Sequence, residues 1–218
     1  MKNRENLNIL LIDTSTRKIE FAYNKKNVFC ILKTLDDSKN ADDLVYEIKS
    51  EFDEQGFCFQ DVDFIGLANG PGSFTGLRIG SAVSKAICFA TGAELIEVNS
   101  LALIAEKYYM DNDFNGKVIP LIFSGMKTGE FYYTVFEENK RVSDYKSSVI
   151  EDIVKHEGLY LLNDKVKYDF PDSMRIVNMC DESNLKALYI AAMKMINEGQ
   201  ISDYRTSEPF YMKQFLGS

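Results

Sequence analysis

The run Asn69-Gly70-Pro71-Gly72-Ser73-Phe74-Thr75-Gly76-Leu77-Arg78-Ile79-Gly80 constrains this chain more than any other stretch, because it joins an apolar strand to a helix through a glycine-rich turn. Val62, Phe64, Ile65 and Leu67 mark the strand. The glycines flanking Pro71 permit turn conformations that a side chain obstructs, and the residues beyond Ser73 are helical in pattern. Backbone N–H groups converge where such a helix begins, a geometry that can hold an anion. The spacing departs from both familiar phosphate templates: no lysine follows as in a Walker loop, and Gly76 falls one residue late for the dinucleotide fingerprint. Spacing alone therefore favours a tight structural turn, with a phosphate site as the alternative.

The helix after the turn carries only two charges between Thr75 and Thr91, Arg78 and Lys85, seven residues apart and so nearly on one face. A helix resting on its own sheet needs one apolar stripe, whereas this one is apolar most of the way round, which implies cover on two sides. Gly76, Gly80, Ser84 and Cys88 form a small-residue row that lets another backbone approach closely. That cover comes either from other elements of the chain or from a partner.

Three segments, Ile9-Leu-Leu-Ile-Asp13-Thr-Ser-Thr16, the Gly70 to Gly80 run and Val98-Asn-Ser100-Leu101, occur in the order and spacing of the bacterial TsaB (YeaZ-like) family, which this sequence resembles. The ending Pro209-Phe-Tyr211-Met212-Lys213 is similar to that family's Pro-x-Tyr-hydrophobic-basic motif. The likeness covers residues 7–106 and thins over the second half. It implies two similar lobes of the actin-like ATPase (ribonuclease H-like) α/β fold, each with a mixed sheet and flanking helices. It also implies an accessory, non-catalytic subunit of the machinery that installs threonylcarbamoyladenosine beside the tRNA anticodon. The partners implied are a TsaD-like catalytic subunit, a TsaE-like ATPase and, for the chain alone, a second copy. No cofactor is expected in the isolated chain, and ATP or ADP is a candidate ligand of the complex. The alternative function is an ATP-dependent phosphotransferase of the actin-like class.

Charge bears on the tRNA. A formal net charge of −8 opposes independent binding of a polyanion, so tRNA is expected only through the complex. No apolar run has the length of a membrane helix, and polar Met1 to Asn6 lead directly into a strand, so the expected setting is cytoplasmic. Cys30, Cys58, Cys88 and Cys180 are scattered without metal spacing, three of them in apolar segments, and read as reduced core residues.

Periodicity places strands at 8–12, 19–24 and 28–35, then a helix capped by Asn40 with a core stripe of Leu44, Val45, Ile48 and Phe52, ended by Gly56. The strand at 62–68, the turn helix, a strand at 94–98 and a helix capped by Ser100 complete the first half. The second half repeats this order, with strands at 118–123, 130–137 and 141–145, a helix at 149–156, and strands at 159–162 and 175–179. A helix at 185–197 follows, capped by Ser183 and closed by Gly199. The repeat suggests lobes at 1–105 and 106–218. The basic pairs Lys25-Lys26 and Lys140-Arg141 fall where hairpin turns are expected.

Asp13 ends a buried strand, and Asp13, Thr14, Ser15, Gly70, Gly72 and Ser73 are the candidate phosphate or nucleotide residues. Thr14 stands where actin-like kinases have a glycine, and Gly125 where the TsaB family tends to carry an aspartate. Neither change supplies a general base. With His156 as its one histidine, the chain has no set of ligands for a catalytic metal and no histidine pair of the TsaD type. Phe131-Tyr132-Tyr133 reads as a half-buried strand rather than a base-stacking platform. The surface expected to dock TsaD, or a second copy, comprises Leu44, Ile48, Gly76, Leu77, Gly80, Ser84, Ile87 and Cys88.

Overall fold

The computed structural model describes residues 7–35, 41–125 and 129–212, with the backbone alone at 41 and 42. The first sheet has the order β3-β2-β1-β4-β5. Its strands are β1 (Asn8–Asp13), β2 (Ile19–Lys25), β3 (Val28–Leu35), β4 (Phe64–Ala68) and β5 (Glu94–Val98). The first three form an antiparallel meander and β1, β4 and β5 run parallel. Lys26 and Asn27, at φ 51° and 65°, make the two-residue β2–β3 turn.

The apolar run of β1 is buried on both faces. Leu10 and Ile12 pack with Leu44, Ile48 and Phe52 of α1 (Ala41–Gln55) and Val83 and Ile87 of α2 (Phe74–Thr91). Ile9 and Leu11 pack with Leu103 of α3 (Ser100–Asp111) and Leu188 and Ala192 of α5 (Leu185–Glu198). In the sequence, the strands of the second sheet fall between α3 and α5. Its path β10-β7-β6-β11-β12 repeats the first order, with a parallel pair at its centre. Its strands are β6 (Lys117–Phe123), β7 (Glu130–Tyr133), β8 (Phe136–Glu137), β9 (Lys140–Arg141), β10 (Lys146–Val149), β11 (Leu159–Leu162) and β12 (Arg175–Asn178). α3 covers one face, and α4 (Ile150–Ile153) with the segment 166–170 covers the other. Two lobes of one ribonuclease H-like topology result, as expected.

Several expectations change in detail. The strand over 130–137 is broken at Thr134, whose hydroxyl turns to the Ser143 carbonyl at 2.9 Å. The strand over 141–145 ends at Arg141, and the strand pairing with β7 is β10 instead. The helix at 149–156 is a single turn. Asn99, not Ser100, caps α3 by accepting from the N–H groups of Leu101 and Ala102. Asn184 is the N-cap of α5, with Ser183 Oγ accepting from Leu185 N–H. Gly199 closes that helix in the left-handed region, as expected. Val45 is 41% exposed, one residue round the helix from the buried Leu44, Ile48 and Phe52. The turn near Lys140-Arg141 is made by Glu138 and Asn139, leaving the basic pair in a strand. Asn40 lies outside the described residues. The second unit is not contiguous over 106–218, because α5 packs on the first sheet and Ser202 bridges to Leu95 of β5.

Candidate functional site

At the glycine turn the chain packs on itself. A Cβ at Gly72 would sit 2.2 Å from the Ser15 carbonyl oxygen, one at Gly76 1.9 Å from the Thr14 carbonyl oxygen, and one at Gly80 2.3 Å from Thr14 Oγ1. The glycines exist so that the β1–β2 turn can lie against the start of α2. Ser73 N–H donates to the Ser15 carbonyl at 2.7 Å, and Ser73 Oγ caps the helix by accepting from Gly76 N–H. Gly70, at φ 103°, exchanges two hydrogen bonds with Ser100, through the Ser100 hydroxyl and the Gly70 carbonyl. The glycine at position 72 thus answers to the close approach of the Ser15 carbonyl, while Ser15, Gly72 and Ser73 still border the open cleft above the turn.

Asp13 and Thr14 are fully buried. Asp13 Oδ1 accepts from Ser15 N–H at 2.9 Å and Ser15 Oγ at 2.6 Å, and Oδ2 accepts from Asn184 Nδ2 at 2.8 Å. Such a carboxylate is engaged on both oxygens, which weighs against the phosphotransferase alternative. Asn184 continues the chain of contacts to a group that the sequence reading missed. Lys107, 4% exposed, donates from Nζ to Asn163 Oδ1, the Met179 carbonyl, the Glu182 carbonyl and Asn184 Oδ1, at 3.0, 2.8, 2.7 and 3.3 Å. Burial pulls its pKa below the ordinary lysine value, against the pull of Glu182, Glu20 and Asp13. The only hint in the sequence is a charged pair, Glu106-Lys107, inside an apolar helical stretch. On β2, Glu20 lies opposite Asp13, and burial first, then the Asp13 charge, raises its pKa.

Above this floor a cleft of about 730 Å³ opens between the lobes. Its walls bring Ser15, Gly72 and Ser73 together with Tyr211 of the Pro209–Lys213 motif and with residues that no motif singled out, among them Arg17, Lys167 and Tyr168. The segment 208–212 crosses from one lobe to the other: Phe210 N–H donates to the Asn69 carbonyl, Tyr211 stacks near Phe74 at 5.4 Å, and Phe210 meets Tyr145 at 5.5 Å. Among the described residues no group of three or more histidine, cysteine, aspartate or glutamate side chains is placed to hold a metal ion.

The residues expected at a docking surface are interior ones. Leu44, Ile48, Leu77, Ser84, Ile87 and Cys88 are all buried, and Gly76 and Gly80 face Thr14. Of the four cysteines expected in the core, Cys88 alone is buried, and burial pushes its thiol up to about 11; Cys58 is exposed, and Cys30 and Cys180 are half-buried because their segments lie at the edges of the packed layers. The small-residue row thus answers to this chain's own β1–β2 turn. The outward side of α2 is a different stripe: Arg78, Ala82, Ala86, Phe89 and Ala90 are exposed, Phe89 by 80%. α1 packs beside α2 and exposes Val45 and Tyr46. No helix of the described residues is long and apolar enough to cross a membrane.

The sequence profile of the family described as "TsaD: tRNA N6-adenosine threonylcarbamoyltransferase" matches residues 38–202. A tRNA threonylcarbamoyladenosine biosynthesis protein TsaB from Buchnera aphidicola (subsp. Acyrthosiphon pisum) is 20% identical over 185 residues, 84% of this chain and 82% of that one. The protein of the same name from Haemophilus influenzae is 23% identical over 141 residues, 65% of this chain and 58% of that one. A tRNA N6-adenosine threonylcarbamoyltransferase from Ehrlichia chaffeensis is 40% identical over 85 residues, but the match spans only 37% of this chain and 24% of that enzyme. The solved structure described as YeaZ from Pseudomonas aeruginosa superposes with a TM-score of 0.73 at 19% identity, covering 94% of this chain and 100% of that one. It shares the fold.

Proposed function

We propose that this chain, which belongs to the family whose profile matches residues 38–202 and is similar to proteins named TsaB, acts in tRNA threonylcarbamoyladenosine biosynthesis as a non-catalytic scaffold subunit. It supports a TsaD-like enzyme in transferring threonylcarbamoyl to the adenosine beside the anticodon, in the cytoplasm, with a TsaE-like ATPase as a further member. ATP or ADP enters through the complex. The observation that carries the reading is the outward stripe of α2, where Phe89 stands 80% exposed beside Ala82, Ala86 and Ala90. A helix whose inner side is already buried in its own lobe leaves such a surface to a partner. With a net charge of −8 the chain leaves tRNA contact to that partner.

The docking surface is thus the side of α2 turned away from the small-residue row, with Val45 and Tyr46 of α1 beside it, and a second copy takes it when TsaD is absent. Phe89→Asp tests this. We expect co-elution with the TsaD-like subunit and self-association to be lost, each weakened at least about tenfold. Circular dichroism and the thermal midpoint should stay those of the parent, because Phe89 makes little use of the core. Parental association by the folded variant would overturn the assignment.

A further inference from the structure

We propose that Asn115 is a site of spontaneous deamidation, at which the Gly116 backbone nitrogen displaces the side-chain amide and water leaves an isoaspartate in the link between α3 and β6. The sequence contains two Asn-Gly pairs, Asn69-Gly70 and Asn115-Gly116. A glycine after an asparagine has no side chain to shield the attacking nitrogen and lets the backbone reach the conformation that ring closure needs. Local sequence therefore makes the two pairs alike. The fold separates them.

Asn69 is held on every side. Its N–H donates to the Val98 carbonyl at 2.9 Å, its carbonyl accepts from Phe210 N–H at 2.8 Å, and its Nδ2 donates to the Glu208 carbonyl at 3.1 Å. The nitrogen that would attack, at Gly70, already donates its proton to Ser100 Oγ at 3.1 Å. Asn99-Ser100, where the following residue is also small, is locked likewise: Asn99 Oδ1 caps α3, and Ser100 N–H donates to the Gly70 carbonyl at 2.7 Å. Asn115 is the opposite case. It is exposed in the irregular stretch 112–115, beside a wide surface groove, and among the described residues neither its side chain nor the Gly116 N–H has a hydrogen-bond partner. Its surroundings are fixed, since Phe114 packs edge-on against Tyr108 at 5.8 Å and the Gly116 carbonyl accepts from Tyr109 Oη at 3.1 Å. Electrophile and nucleophile are adjacent in an exposed loop, with nothing occupying either.

In the reaction, Gly116 N gives up its proton and bonds to Asn115 Cγ, the Cγ–Nδ2 bond breaks, and ammonia leaves with that proton. Water then opens the succinimide ring. Cleavage at Cγ leaves aspartate, and cleavage at the main-chain carbonyl carbon leaves isoaspartate, whose backbone runs through Cβ and Cγ and is one atom longer. Either product adds a carboxylate to a groove already lined by Asp111, Asp113 and Glu138, where like charges repel. Isoaspartate also displaces the Gly116 carbonyl from Tyr109, so the modified link holds α3 to β6 less firmly.

The experiment ages the whole chain in mildly alkaline buffer, with and without urea, and follows the tryptic peptide 108–117 by tandem mass spectrometry beside the peptides that contain Asn69 and Asn99. Isoaspartate is scored by labelling with an isoaspartyl methyltransferase. We expect Asn115 of the folded chain to gain one mass unit and to label as isoaspartate, at least about tenfold faster than Asn69, which must first break several hydrogen bonds. In urea the two Asn-Gly pairs should react at similar rates. Asn115→Gln, whose longer side chain would have to close a larger ring, should lose the signal while circular dichroism stays that of the parent. Asn115→Asp carries the charge without the longer backbone, and it should lower the thermal midpoint less than the isoaspartate form purified from aged protein. The proposal is overturned if Asn115 keeps its amide in the folded chain, if Asn69 reacts as fast there, if the product is aspartate alone, or if Asn69 stays slow in urea. The measurement involves no TsaD-like subunit, so it succeeds or fails separately from the docking of α2.

Discussion

The first sheet is sandwiched between helices, whereas the second, with the same strand order, is covered on one face by a helical turn and aromatic rings. The β4–β5 crossover carries the 18-residue α2, and the corresponding β11–β12 crossover carries no helix. In its place Tyr168 and Phe170 pack their rings on Phe131, at 5.2 and 5.6 Å. The last long helix, α5, leaves the second lobe and seals the first. Topology therefore set the strand order but not the layers. The lobe rich in helices has an outer helical side to offer a partner, and the lobe poor in them turns aromatic side chains toward the cleft.

The largest expected effect breaks the seam between these lobes. Lys107→Met removes an ammonium whose three hydrogens are shared among four oxygens drawn from both sides of the seam, taking that donor from the Glu182 carbonyl and two asparagine side chains and leaving the Met179 carbonyl only the 3.4 Å bond from Glu182 N–H. We expect a loss of about 3 kcal/mol in urea unfolding, since stranded buried partners cost more than the pair contributed. A loss below about 1 kcal/mol would mean that the lobes are joined elsewhere.

A smaller effect separates two kinds of glycine. Gly76→Ala drives a Cβ into the Thr14 carbonyl, so we expect about 2 kcal/mol of destabilisation although alanine is the better helix former. In the second lobe Gly129, at φ 63°, has nothing within 4 Å of its would-be Cβ. Gly129→Ala should lose only about 1 kcal/mol, from the backbone alone. Equal thermal shifts for the two would break the contrast between a packed turn and an open one.

Much of the fold was legible because strand and helix periods report burial directly. The two-sided burial of β1, the α1 stripe of Leu44, Ile48 and Phe52, and the left-handed closure at Gly199 all follow from spacing. The site was less legible, since a small-residue row says that something comes close without saying what. Gly76 and Gly80 turned out to accommodate Thr14, sixty-odd residues upstream, and the partner-facing stripe lies on the other side of the same helix. Thr134 and Lys107 escaped for a related reason. Each is explained by an acceptor far along the chain, Ser143 for one and the 179–184 segment for the other, and no local pattern encodes such an acceptor.

The smallest effect asks whether the first lobe carries the charge strain of the cleft floor. β1 and β2 bring Asp13 and Glu20 opposite one another, while the matching β6 end in the second lobe offers Ser124 and Gly125. Glu20 is 4% exposed, and its raised pKa means that the folded chain holds the proton more tightly than the unfolded chain does. Below the unfolded value near 4.5 both states are protonated and nothing is lost. As pH rises through that value and past the raised one, the folded state must ionise a buried group beside Asp13, and stability falls. Glutamine imitates the protonated form and still offers an oxygen to the Thr34 hydroxyl, which Glu20 accepts at 3.0 Å. Glu20→Gln should therefore match the parent near pH 4 and exceed it near pH 7 by on the order of 1 kcal/mol in urea unfolding. A difference that stays flat with pH, or that favours the parent at neutral pH, would show that the ionised carboxylate is held by its partners rather than strained by its neighbour.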